Sequence, residues 1–166
     1  MSKIGFIGLG NMGLPMVKNI AKEKKHLIYV NDLDKEMLKP ELWPDNVMPT
    51  SDLSILAAHS DIIITCLPNI HIVNEIYLGN SLFLDKLKPD ALAIDMGSSD
   101  PNLTIELGGA LNKKGINLID APVSGGVKKA ISGDLAILAG GTEPNVARAM
   151  PILSLIGGKI IHTGAL

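Results

Sequence analysis

Ile4-Gly5-Phe6-Ile7-Gly8-Leu9-Gly10-Asn11-Met12-Gly13-Leu14-Pro15-Met16-Val17-Lys18 passes from an apolar run through three spaced glycines into the start of a helix. In a strand, turn and helix of this kind each glycine has its own task. Gly8 permits the tight turn off the strand, Gly10 lets the backbone approach a pyrophosphate, and Gly13 lets the helix pack closely on the sheet. The phosphates would then meet the unpaired N–H groups and the positive dipole end of the helix. A glycine-rich turn can also serve only to redirect the chain, so context decides. The context required is a preceding strand, a following helix, and an acidic residue about 20 positions on at the end of a second strand. His26 to Val30 is an apolar, β-favouring run that ends in Asn31 and Asp32, and it meets that requirement.

A carboxylate at the position of Asp32 can accept hydrogen bonds from an adenosine ribose, and it would repel the doubly charged phosphate of NADP. NAD is therefore the expected cofactor, in preference to NADP. The competing reading is a turn in which Asn31, Asp32 and Asp34 cap a short helix from Lys35 to Leu38.

The remaining chain alternates in the same manner. Met16, Val17, Ile20 and Ala21 fall at helical spacing within Leu14 to Lys25, with lysines between and after them. Pro40, Pro44 and Pro49 make Glu41 to Asn46 a loop leading to a short strand near Val47 and Met48. Ser51-Asp52 caps a helix through Ala58, and Asp61 to Leu67 has the continuous β-branched character of a central parallel strand buried on both faces. It stops at Pro68-Asn69. Helices are expected at His71 to Tyr77, at Leu82 to Leu87, and from the Asp100-Pro101 cap through Leu111. Strands are expected at Ala91 to Ile94 and at Asn117 to Ile119. With no internal repeat and no low-complexity linker, the pattern predicts an α/β domain over residues 1–166. It is a Rossmann-type doubly wound, mostly parallel sheet with helices on both faces.

Extra elements follow at the C-terminal end. Asp120-Ala121-Pro122-Val123-Ser124-Gly125-Gly126 is a polar, glycine-bearing turn ahead of a short helix from Val127 to Ile131. Consecutive glycines can present adjacent N–H groups as an anion-binding concavity, and Ser124 adds a hydroxyl, so a small carboxylate would suit the turn. A helix-capping loop with no ligand is the alternative. Lys128 and Lys129 could approach an acid or could simply be solvated. A strand at Leu135 to Ala139, a helix at Asn145 to Leu155 and a strand at Lys159 to His162 complete the chain.

Composition narrows the function. The apolar fraction of 46% is ordinary for a globular protein, and no apolar run approaches the roughly 18 residues of a bilayer span. Met1-Ser2-Lys3 leads directly into a strand and lacks the features of a signal peptide, so a cytoplasmic location without membrane partners is expected. A net charge of −2 gives no footprint for nucleic acid, and Lys22, Lys24 and Lys25 read as a solvated helix end. His26, His59, His71 and His162 show no paired ligand spacing, so no metal site is expected. Cys66, the single cysteine, lies in an apolar run and reads as a buried, inert thiol.

Taken together, these motifs resemble the N-terminal domain of the β-hydroxyacid dehydrogenases, the group of 3-hydroxyisobutyrate dehydrogenase and of tartronate-semialdehyde and glyoxylate reductases. The resemblance spans the chain. It rests on Gly8 to Met16 (GLGNMGLPM), Leu67-Pro68, Asp95 to Pro101, Asp120 to Gly126 (DAPVSGG) continuing through Ala130, Gly133 and Leu135, then Gly140-Gly141 and His162-x-Gly164. It implies NAD(P)-linked interconversion of a small 3-hydroxy acid and its semialdehyde. By resemblance Gly8, Leu9, Gly10, Asn11, Met12 and Gly13 would hold the pyrophosphate. Asn31 and Asp32 would meet the adenosine side, Leu67 and Pro68 would pass along the cofactor, and Ser98 would stand near the nicotinamide. Ser124, Gly125 and Gly126 would bind the substrate carboxylate or hydroxyl. The family marks NADP preference with an arginine directly after the asparagine of the second strand end, where this chain has Asp32.

Three departures accompany the resemblance. Gly97 and Ser98 replace a Ser-Thr pair, Val17 replaces a small residue on the first helix, and the chain ends at Leu166, before the family's interdomain helix and catalytic lysine. The implied role is the cofactor-binding half of a longer, homo-oligomeric enzyme, without its helical catalytic and dimerisation domain and without turnover alone. A free-standing, non-catalytic dinucleotide-binding module is the rival. A methyltransferase, which also uses a glycine-rich first turn, leaves DAPVSGG and Leu67-Pro68 without a purpose.

Overall fold

The apolar runs of the sequence lie side by side as strands of one sheet in the computed structural model, which describes residues 2–79 and 81–166. The strands are β1 Lys3–Ile7, β2 Leu27–Asn31, β3 Val47–Pro49, β4 Ile62–Thr65, β5 Leu92–Asp95, β6 Asn117–Asp120, β7 Val123–Ser124, β8 Leu135–Gly140 and β9 Gly157–Gly164. Their order is β3-β2-β1-β4-β5-β6-β8-β7, with β9 on the free side of β8. β1 to β6 are mutually parallel. The doubly wound order expected from the alternation of strands and helices is therefore present.

The helices are α1 Gly13–Ala21, α2 Leu53–His59, α3 Ile70–Asn74, α4 Ser81–Lys86, α5 Pro101–Asn112, α6 Gly126–Ser132 and α7 Glu143–Leu153. They cover both faces because the strand side chains alternate. Ile62 and Ile64 join the core formed with Met16, Val17 and Ile20 of α1 and Ala149 of α7. Ile63 faces the opposite core, with Leu56 of α2, Phe83 of α4 and Leu107 of α5. Period-two alternation on a strand apolar at every position is what a doubly covered parallel sheet requires. Val17 is fully buried, so its extra volume is absorbed in the first of these cores.

At the C-terminal end the chain reverses. β8 runs antiparallel to β6 at Asp120↔Gly140 and to β7 at Val123↔Ile137, and the Leu138 N–H reaches the Pro122 carbonyl between them at 3.1 Å. β7 thus continues the line of β6 along β8. β8, α7 and β9 then form a parallel crossover unit.

Several boundaries differ from the sequence expectation. α1 ends at Ala21 rather than Lys25, because Lys24 N–H bonds Lys22 O and His26 N–H bonds Glu23 O in a turn that delivers the chain to β2. The segment Glu41 to Asn46 is not wholly loop. Pro40–Leu42 forms a 3₁₀ turn, behind which Trp43 is buried with Nε1–H on the Met37 carbonyl at 2.8 Å. α3 gives way at Glu75–Gly79 to a π turn, and β9 extends beyond Lys159 to His162 in both directions by pairing with β8. Among the described residues, no helix is long and apolar enough to cross a membrane.

Candidate functional site

The sheet order changes direction at β1, which has β2 on one side and β4 on the other. Parallel α/β sheets bind ligands outside the carboxyl ends of the strands at such a switch point. Here the ends align in register, Ile7 beside both Asn31 and Thr65. Beyond them opens a crevice of about 710 Å³, within the size range of small-molecule and cofactor sites.

The glycine loop forms its floor. Gly8 turns off β1 at φ +100 and donates its N–H to Asn31 O at 3.0 Å, a conformation that side chains other than glycine rarely adopt. A Cβ on Gly13 would lie 1.9 Å from the Gly8 carbonyl, so helix and turn touch through backbone. Gly10 differs: nothing in the protein lies within 4 Å of a Cβ built there, and the residue faces the crevice. Met12, at the N-cap of α1, makes no side-chain cap, so no cap side chain takes up the first N–H groups of that helix.

Asp32 stands at the rim. Its Oδ2 accepts the Leu9 N–H at 2.6 Å and its Oδ1 accepts the Asp34 N–H at 2.8 Å, which fixes the carboxylate against the glycine loop. Each oxygen retains further acceptor capacity. The capping role considered for Asp34 is present too, since it accepts from Glu36 N–H at 3.0 Å. Asn31 lines the crevice by position, while its amide is committed to the Thr50 carbonyl at 2.8 Å. Cys66, Leu67 and Pro68 form the wall from β4, and Leu33, Leu53, Ile72, Glu75 and Ile76 complete it. Among the described residues, no lysine, arginine or histidine lines the crevice.

Not every expected residue meets there. Gly8, Gly10, Asn11, Met12, Gly13, Asn31, Asp32, Leu67 and Pro68 line the crevice. Leu9 does not: its side chain is buried in the core and its contribution is the N–H given to Asp32. Ser98 is exposed at the turn after β5, and Ser124 at the end of β7 is exposed with Gly125 and Gly126 at the start of α6; none of the four borders the crevice. Gly125 and Gly126 have φ of +133 and +69, so the turn that presents them depends on glycine. Lys129 is not free to meet an acid, being paired with Asp134 at 3.1 Å. Cys66 is partly buried in the wall rather than sealed in the core. Burial, with Asp95 adding to it, pushes its thiol up to about 11, which leaves it unreactive near neutrality.

Residues 3–164 match the family described as the NAD binding domain of 6-phosphogluconate dehydrogenase. The chain belongs to this family. This NAD-binding domain is 40% identical over 162 residues to 2-(hydroxymethyl)glutarate dehydrogenase of Eubacterium barkeri, covering 98% of the chain and 53% of the relative. Mitochondrial 3-hydroxyisobutyrate dehydrogenase of Mus musculus is 39% identical, with 98% and 48% covered. The solved structure of Mycobacterium tuberculosis 3-hydroxyisobutyrate dehydrogenase with L-serine superposes with a TM-score of 0.90 at 33% identity, covering 99% of this chain and 55% of that one. The chain spans about half the length of the curated relatives it matches.

Two features of the NAD-binding domain escaped sequence reasoning. Asp95 and Asp120 end neighbouring parallel strands and are register partners. Asp95 is 1% exposed and accepts from Thr65 Oγ1 at 2.7 Å and Ser99 Oγ at 2.9 Å. Burial, and then the charge of Asp95, push the Asp120 carboxyl up to about 6. The available signal was the repeated Ile-Asp ending of two consecutive strands, Ile94-Asp95 and Ile119-Asp120. The other is Asn19. Buried on α1, it donates to Ala130 O at 2.8 Å and Ile131 O at 3.2 Å, so it ties the helix of the first glycine turn to the helix of the second. Its only signal was a polar residue amid the apolar face Met16, Val17, Ile20.

Proposed function

We propose that this domain holds NAD in the crevice at the carboxyl end of β1 and is the cofactor half of an oxidoreductase acting on a small 3-hydroxy acid or its semialdehyde. The observation that carries the reading is Gly10. The protein itself leaves room for a side chain there, so the glycine answers to something outside the protein fold: a diphosphate lying against the backbone. The crevice offers a diphosphate the uncapped start of α1, and it offers an adenosine ribose the fixed carboxylate of Asp32. A lining with carboxylates and no cation supports NAD over NADP, since nothing there compensates a 2′-phosphate. When bound, the nicotinamide supplies the hydride chemistry.

The turn of Ser124, Gly125 and Gly126 is proposed to take the substrate carboxylate. Two relatives named for hydroxy acids, 2-(hydroxymethyl)glutarate and 3-hydroxyisobutyrate, support that class. Because the turn is exposed and stands apart from the crevice, it needs a second domain to enclose a substrate. A catalytic lysine from that domain would move the proton. Full-length assembly as a homo-oligomer belongs to the same proposal.

Calorimetric titration with NAD and NADP in parallel tests the cofactor reading. Saturable binding of NAD, tighter than NADP, is expected, and binding of neither nucleotide overturns it. Turnover of 3-hydroxy acids by residues 1–166 alone would overturn the requirement for a second domain.

A further inference from the structure

We infer that Glu75 is a second selector of the nucleotide, acting with Asp32 from a separate element of the crevice lining to disfavour a phosphate on the ribose; this rests on the dinucleotide reading above. Asp32 and Glu75 are the acidic residues of the lining, and they reach it from different elements, Asp32 from the end of β2 and Glu75 from the π turn after α3. They are held differently. Asp32 accepts two backbone N–H groups at 2.6 and 2.8 Å, which fix it and occupy part of its acceptor capacity. Glu75 is exposed, and no hydrogen bond or ion pair engages its carboxylate among the described residues.

Helical spacing accounts for its position: Glu75 closes α3 with α-helical backbone angles, and its N–H reaches the His71 carbonyl. Residues three and four positions apart lie on one face of a helix. Ile72, Glu75 and Ile76 stand at such spacing and all border the crevice, so the charge shares a face with two apolar side chains. With no cation in the lining, the negative field of both carboxylates acts on any added phosphate, partly screened by solvent. Replacing Asp32 alone therefore leaves a second negative charge facing a 2′-phosphate.

The test is a titration of NAD and NADP against residues 1–166, unsubstituted and as Glu75→Gln, at low and high salt, with Glu106→Gln on α5 as a control outside the crevice. Glu75→Gln is expected to tighten NADP about three- to tenfold more than it tightens NAD at low salt, and to lose much of that difference at high salt. Glu106→Gln should leave the NAD-to-NADP ratio unmoved. If NAD binds but Glu75→Gln shifts the ratio no more than Glu106→Gln does, the assignment of Glu75 fails and the dinucleotide reading stands. If the unsubstituted chain binds neither nucleotide, both fail.

Discussion

Gly10 and Gly13 sit three residues apart in one loop, yet their surroundings predict opposite consequences for the same change. A methyl group on Gly13 would be driven into the Gly8 carbonyl at 1.9 Å, and backbone cannot yield as a side-chain tip can. Gly13→Ala is expected to destabilise the domain by about 3 kcal/mol or more in urea denaturation, because α1 must move off β1. Gly10→Ala meets nothing within 4 Å and should leave the urea midpoint nearly unchanged while weakening NAD at least tenfold. Equal loss of stability in both variants would remove the case for a ligand-facing Gly10. Asp120 gives a pH signature. Its carboxyl is raised to about 6 in the fold against an ordinary value near 3.8, so the folded state binds the proton more tightly. Stability contributed by the protonated form is fully present below about pH 4 and is lost as pH rises through 6. The stability difference between the wild-type chain and Asp120→Asn should therefore move against the wild type over that window. Allowing for partial exposure, the movement is on the order of 1–2 kcal/mol in denaturation curves taken from pH 4 to 7.

Between elements, the connection of most interest is Asn19. Its amide caps two carbonyls at the end of α6, where a helix has no partners of its own for its last carbonyls. Asn19→Leu is close in size but leaves those carbonyls without a side-chain donor. A loss of about 1–3 kcal/mol is expected, with faster amide exchange in α6 than in α5; uniform acceleration across both helices would show that Asn19 has no local role. At this scale the sequence was legible where a signal is local. Asp100-Pro101 marks the start of α5 and Asp52 caps α2 by accepting from Ser54 N–H. The end of α1 was not legible, because Lys22 to Lys25 are good helix formers and it is the distance to β2 that ends the helix. The π turn at Glu75 was equally hidden, since it depends on packing and not on residue type.

For the molecule as a whole, the β8 and β9 end of the sheet carries exposed apolar surface. Leu138 and Ile161 are register partners, 45% and 41% exposed, and β9 is an edge strand of eight residues. Such an edge and patch favour association. Light scattering of residues 1–166 is expected to show a molar mass that rises with concentration. A constant monomer mass would count against an apolar interface at this end. The candidate site, too, is a property of the whole molecule. Gly8 to Gly13, Asp32 and Leu67-Pro68 were visible as motifs, but their meeting follows from the strand order around β1.

Local chemistry alone determined the alternation of strands and helices, the first glycine turn, the acidic end of the second strand and the family resemblance, because each depends on residues near one another in the chain. Tertiary structure decided which of those residues share a cavity. It placed Ser98 and the Ser124 turn outside the crevice, brought Glu75 and Leu33 to it, and set Asp95 beside Asp120. The physical reason is that strand order and register join residues far apart in sequence, and no short-range propensity encodes which strand lies beside which.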